Sequence, residues 1–220
     1  MSDREHDLEP IPGLPERPPS GERVLWQGTP RFATVARRTF HLHKAAVYFA
    51  LVVLWRFGHS LNQGEGLFAA VQSTTLFFGL SVTALALLLL LAWLTTRATV
   101  YTITTERVVI RFGIAIQMAV NLPFNVIRSA ALKTYGDRTG DIPLELLPEE
   151  RVSYVVMWPN VRPWSFGNAQ PMLRGIDDAA QVADLLAQAL AGDRVAQATA
   201  DAQPPAITAT RPMPRAAATS

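Results

Sequence analysis

Cysteine is absent from the chain, which excludes a disulfide framework, a thiolate metal site and a cysteine nucleophile. Histidine is scarce, with four in all, His6, His41, His43 and His59. No P-loop, His-Glu-x-x-His or Gly-x-Ser-x-Gly motif occurs, so nothing points to a nucleotide, zinc-hydrolase or serine-hydrolase site. Residues 1–20 have no apolar core, and a cleavable signal peptide is therefore not expected. A net charge of +2 is too small to argue for nucleic acid, even with a pI near 9.3. The most informative absence is local. From Leu67 to Thr95 the chain carries 29 residues and not one Asp, Glu, Lys, Arg or His.

That stretch covers about 43 Å as a helix, against a hydrocarbon core of roughly 30 Å. Its Leu87–Leu91 run and the Trp that follows at position 93 read as a membrane span. Gln72, Ser73, Thr74 and Thr75 gather near one end, either where the helix emerges or on a face that packs against another helix. A partner span is expected over about residues 42–61, built on the apolar run Ala45–Trp55. It requires Lys44 and Arg56 to reach opposite headgroup layers, and the two are only about 18 Å apart along a helix. Arg56 therefore either snorkels outward or finds a partner inside, and Gln72–Thr75 are candidates for that partner. The Gly-containing link at residues 58–66 suits a tight turn. Arg31, Arg37, Arg38, Lys44 and Arg97 fall on one side, with Arg56 and His59 on the other. This bias predicts a multi-pass membrane protein with both termini cytoplasmic.

Residues 1–20 form an acidic, Pro-rich tail, and 193–220 an Ala, Pro and Thr-rich tail, both expected to be disordered. Residues 21–41 are a cytoplasmic lead-in, with a short strand around Val24 and Trp26 ended by Gly28-Thr29-Pro30. After the hairpin at 42–96 the pattern changes to period two. Seven short strands are expected over residues 97–192: Thr99–Thr104, Arg107–Phe112, Ile116–Leu122, Val126–Leu132, Ile142–Leu147, Val152–Trp158 and Pro171–Ile176. The apolar character of Val108–Ile127 raises a third span, but Arg111, Gln117, Asn121 and Pro123 inside it favour strands. A terminal helix capped by Asp177 would bury Val182, Leu185, Leu186, Ala189 and Leu190 and end at Gly192. The fold class is thus an α+β membrane protein. A two-helix transmembrane hairpin precedes a seven-stranded antiparallel barrel or curved sheet plugged by a C-terminal helix.

The segment TRATVYTITTERVVIRFGIAIQMAVNLPFNVIRSAAL, Thr96–Leu132, resembles a bacterial PH-like domain of the kind found behind membrane hairpins. The likeness lies in Tyr101, Ile103, Thr104, Glu106, Arg107, Gly113, Pro123, Ile127 and Ser129, and in the GERVLWQGTP box before the hairpin. Over roughly residues 9–192 the chain is also similar to the assembly proteins of purple-bacterial photosynthetic complexes. The phrases EPIPGLPERPPSGERVLWQGTP and HLHKAAVYFALVVLWR carry that likeness. It implies a non-enzymatic role in joining the reaction centre to its core light-harvesting antenna, and self-association as a homodimer. No catalytic residues come with it.

Candidate contact residues follow from residue type. Trp158, Trp164 and Phe166, with Arg162 among them, would meet a membrane surface or a partner, or alternatively cap the sheet where the terminal helix docks. Arg56 is a candidate contact inside the membrane. His41 and His43 lie two apart at a membrane boundary without a nearby carboxylate. They are read as interfacial residues, with ligation of bacteriochlorophyll magnesium as the sharper alternative; no other cofactor or metal is expected. The second functional reading is a membrane-anchored lipid- or peptide-binding module without a photosynthetic role. It would need Arg107, Arg111, Arg128, Lys133 and Arg138 to form a basic pocket.

Overall fold

The computed structural model describes Pro19 and residues 21–202. The acidic tail expected over residues 1–20 lies almost entirely outside them, as do residues 203–220. The lead-in is not a passive linker. Val24–Gly28 forms β1, which pairs antiparallel with β2, Val100–Thr104. Between these two adjacent strands the chain makes a short helix α1, Phe32–Thr34, continues as a π-helical segment, Val35–Thr39, and then builds two long helices. These are α2, Leu42–Asn62, and α3, Leu67–Ala98. The hairpin is therefore an insertion within one sheet.

β3, Arg107–Phe112, and β4, Met118–Pro123, complete that sheet in the order β1-β2-β3-β4. After a 3-10 turn come β5, Ile127–Ala130, β6, Lys133–Thr134, and β7, Gly140–Leu146. Then follow the short helix α4, Tyr154–Met157, the strand β8, Met172–Ile176, and α5, Ala179–Ala202. β7 is the centre of the second antiparallel sheet and pairs with β5, β6 and β8. The core between the sheets holds Tyr101, Ile103, Val108, Ile110, Ile142, Leu144 and Leu173, closed by Val182, Leu186 and Leu190 of α5.

Four expectations need correcting. Val152–Trp158 is not a strand. Its β-branched residues favour one, but Tyr154 and Met157 reach the core at helical i, i+3 spacing, leaving Val155 83% exposed, and Pro159 stops the turn. β4 begins at Met118 rather than Ile116, which is 76% exposed. The terminal helix starts at Ala179, one residue later than an Asp177 cap implies, and runs past Gly192 to Ala202. A solvent-facing glycine costs only about 1 kcal/mol in a helix, and the Ala-rich run after it sustains the turn. Finally, among the described residues one helix, α3, is long and apolar enough to cross a membrane; α2 is less apolar, because Lys44, Arg56, His43 and His59 dilute its apolar run.

Candidate functional site

A hydroxyl pair joins the helices at the far end of the hairpin. Ser60 and Ala70 are fully buried, and the hydroxyls of Ser60 and Ser73 lie 3.2 Å apart. Ser60 also donates to the Glu65 carboxylate. Thr74 and Thr75 return their hydroxyls to their own helix, to the Ala70 and Val71 carbonyls at 2.8 and 2.9 Å. The expected pairing of Arg56 with Gln72–Thr75 is therefore not what forms. The Arg56 guanidinium lies over the Phe77 ring at 5.9 Å, and Ser60 takes the polar contact instead.

At the near end, Val35 and Ala36 of the π-helical segment pack on Ala92 of α3. The residues just before that segment reach β8 and the start of β7. Arg31 N–H donates to the Gly175 carbonyl at 2.7 Å, and Thr34 donates to the Thr139 hydroxyl at 3.2 Å. A Cβ on Gly175 would come within 3.2 Å of Thr34. Residues 31–39 are thus a wedge between the helices and the sheets.

Beside this wedge opens a cleft of about 230 Å³, whose lining includes Arg38, His41, Tyr154, Trp158, Trp164 and Arg174. One wall is a finger. Asn160–Arg162 runs antiparallel to Gln170–Met172, with Val161 bridging Pro171, and the tip carries Trp164 and Phe166, 86% and 65% exposed. Phe166 packs against Tyr154, ring centres 4.5 Å apart, and Trp158 makes an edge contact with Phe40 at 5.9 Å. The aromatic trio is thus gathered on one surface against the wedge and α4, and does not cap the sheet beneath α5. Arg162 is spent on the finger itself, donating to Gln170 at 3.0 Å.

Arg174 reaches the floor of the cleft from β8. It donates to the Thr39 hydroxyl at 2.9 Å and to the Val161 carbonyl at 3.1 Å, while its Nε is buried without a partner. Beneath it, Tyr101 donates to Asn160 Oδ1 at 2.8 Å and accepts from the Arg174 N–H at 3.1 Å. Burial pushes the Tyr101 hydroxyl well above the ordinary tyrosine range, so it stays a neutral donor. Arg38 stacks over Tyr135, 4.4 Å from the ring centre. Tyr135 donates to Asp141 at 2.6 Å, and burial together with that bond raises it too. Sequence reasoning singled out the trio but missed Arg38, Tyr154 and Arg174, which come from three distant stretches with no shared spacing.

His41 lines the cleft as the residue before α2, in a left-handed turn at φ 52°, its Nδ1 3.2 Å from the Thr39 carbonyl. His43 is exposed. No cluster of three metal-ligating side chains occurs among the described residues. The strand-loop arginines do not form a basic pocket. Arg107 pairs with Glu22 at 2.7 Å, Arg128 with Glu145 at 3.6 Å and Arg138 with Asp178 at 3.7 Å, while Arg111 contacts Gln117.

The family description "Bacterial PH domain" matches residues 50–190. The chain is also 37% identical over 190 residues, covering 86% of its length and 89% of the relative's, to an "uncharacterized 23.7 kDa protein in puhA 5′ region" of Rhodobacter capsulatus. The chain belongs to the bacterial PH domain family. The two antiparallel sheets closed by a terminal helix are its PH-like head, and the family match begins inside α2. No solved structure matches the chain.

Proposed function

We propose that the chain is a non-enzymatic, PuhB-type membrane assembly factor, which helps join the photosynthetic reaction centre to its core light-harvesting antenna. The observation that carries this reading is the relative, alike over nearly its whole length and encoded in the puhA 5′ region, a photosynthesis gene region. In this reading α2 and α3 cross the inner membrane as a hairpin, both termini are cytoplasmic, and the head lies against the cytoplasmic surface. The surfaces of the helices support it. Tyr48, Leu51, Leu54 and Trp55 on α2, and Phe68, Leu76, Phe78 and Leu80 on α3, are each at least 60% exposed, an apolar surface far larger than a water-soluble monomer keeps. α2 alone is about 31 Å long, enough to cross beside α3 when its charged ends snorkel.

The working surface is the hairpin together with the head that it carries, which contact reaction-centre and antenna subunits, with a second copy of the chain as a further partner. The alternative, a lipid- or peptide-binding module without a photosynthetic role, loses its strand-loop pocket, because those arginines are paired or dispersed. Deleting the gene in a photosynthetic host and quantifying the assembled reaction centre–antenna complex tests the proposal. Lower or slower accumulation is the expected outcome; unchanged levels and kinetics would sink it.

A further inference from the structure

We propose that the cleft beside the wedge binds the phosphate of an anionic phospholipid drawn from the leaflet that the head faces. This rests on the reading of α2 and α3 as a membrane hairpin. Depth is the first reason. His41 lines the cleft, and α2 begins at the next residue, so the opening lies at headgroup level when α2 is in the bilayer.

Charge is the second. Arg38 and Arg174 line the cleft and no carboxylate does. Asp141, behind Tyr135, is engaged by the Tyr135 hydroxyl at 2.6 Å and the Gly175 N–H at 2.8 Å. Stacking on Tyr135 occupies the face of the Arg38 guanidinium and leaves its N–H edge for an anion. Arg174 is held by two of its nitrogens, on the Thr39 hydroxyl and the Val161 carbonyl, which fixes its positive charge at the floor of the cleft. A phosphate offers several strong acceptor oxygens, and charge-assisted bonds of this kind are the strong ones.

The rim is the third. Trp158, Trp164 and Phe166 keep 53%, 86% and 65% of their surface exposed beside two arginines, the arrangement in which aromatic rings settle at a membrane interface. A lipid satisfies both halves of the site at once, phosphate on the arginines and glycerol and upper acyl carbons on the rings. A free inorganic anion would use only the arginines.

The test uses the full chain in detergent micelles, with tryptophan quenching by brominated phosphatidylglycerol compared with brominated phosphatidylcholine. Phosphatidylglycerol is expected to half-saturate at roughly tenfold lower concentration. Arg38→Gln, at an exposed position, is expected to reduce that preference about fivefold, the effect of one arginine leaving an anionic headgroup. Arg174→Gln should act in the same direction, and Arg128→Gln on β5 should leave the preference unchanged. Equal quenching by both lipids, or a wild-type preference in Arg38→Gln, would overturn the assignment. So would full displacement of the lipid by millimolar inorganic phosphate, which would make the cleft a site for free anions. Alkaline carbonate extraction of native membranes separates the two readings. Retention of the chain with no effect of Arg38→Gln removes the lipid site alone, and release of the chain removes the hairpin with it.

Discussion

Glu22 shows how much one residue from the lead-in contributes. Its side chain is 1% exposed and takes two bonds from Arg107, at 2.9 and 2.7 Å, fastening the chain just before β1 to the start of β3. The Arg107 hydrogen bonds hold the Glu22 carboxyl below the ordinary glutamate value of 4.5, against the opposing pull of burial. A lowered folded-state value means that the unfolded chain binds the proton more readily. The stabilisation is therefore complete above pH 4.5 and is lost as pH falls below it, through the folded value. Arg107→Met, which strands a buried carboxylate, is expected to cost ~3 kcal/mol. Glu22→Gln should cost less, ~1–2 kcal/mol, and should flatten the acid limb of stability against pH, measured by thermal unfolding of the full chain in detergent.

Among the elements, the close approach of α2 and α3 near Ser60 and Ala70 is the most sensitive contact. A Leu at position 70 has nowhere to go on a fully buried surface, and forced packing of this kind costs ~1–3 kcal/mol. Ala70→Leu should therefore splay the far end of the hairpin. Cysteines placed at Phe57 and Thr74, both beside the same groove between the helices, should then crosslink more slowly than in the parent. Equal rates would refute close packing there. These helices were also the most legible part of the sequence, with starts at Leu42 and Leu67 as expected and ends within a few residues, because long apolar runs leave little room for competing structures. The β2 and β3 strands and the buried face of α5 were legible through periodicity. Val152–Trp158 was not, because its composition favours a strand and only the core decides that Tyr154 and Met157 must point the same way. The two-residue strand β6 has no pattern to read. In the cleft the rings of the finger stood out by type, but Arg174 looked like any strand residue, and Arg38 like one more interfacial cation.

For the whole molecule, the proposed membrane orientation makes a direct prediction, and the absence of cysteine supplies the means. Gln63→Cys at the hairpin tip and Ser129→Cys on the head are both exposed sites in an otherwise thiol-free chain. In intact cells an impermeant maleimide should label the first and not the second. In inverted membrane vesicles the pattern should reverse. Labelling of both from one side would place tip and head in the same compartment and contradict a hairpin that crosses the bilayer.

The placement of the hairpin between β1 and β2 also sets an order of events. Gln27 and Thr102, joined at 3.0 Å, are 75 residues apart, and everything between them is the wedge and the two helices. While the chain is being made, β1 leaves the ribosome first and has no strand to pair with until both helices have followed. Its neighbour β2 becomes available only after the last turn of α3 has been synthesised. The first sheet therefore closes late, and a finished head certifies that both helices have already been synthesised. Any surface the head offers, whether to lipid or to protein, comes into being only on chains whose hairpin is complete.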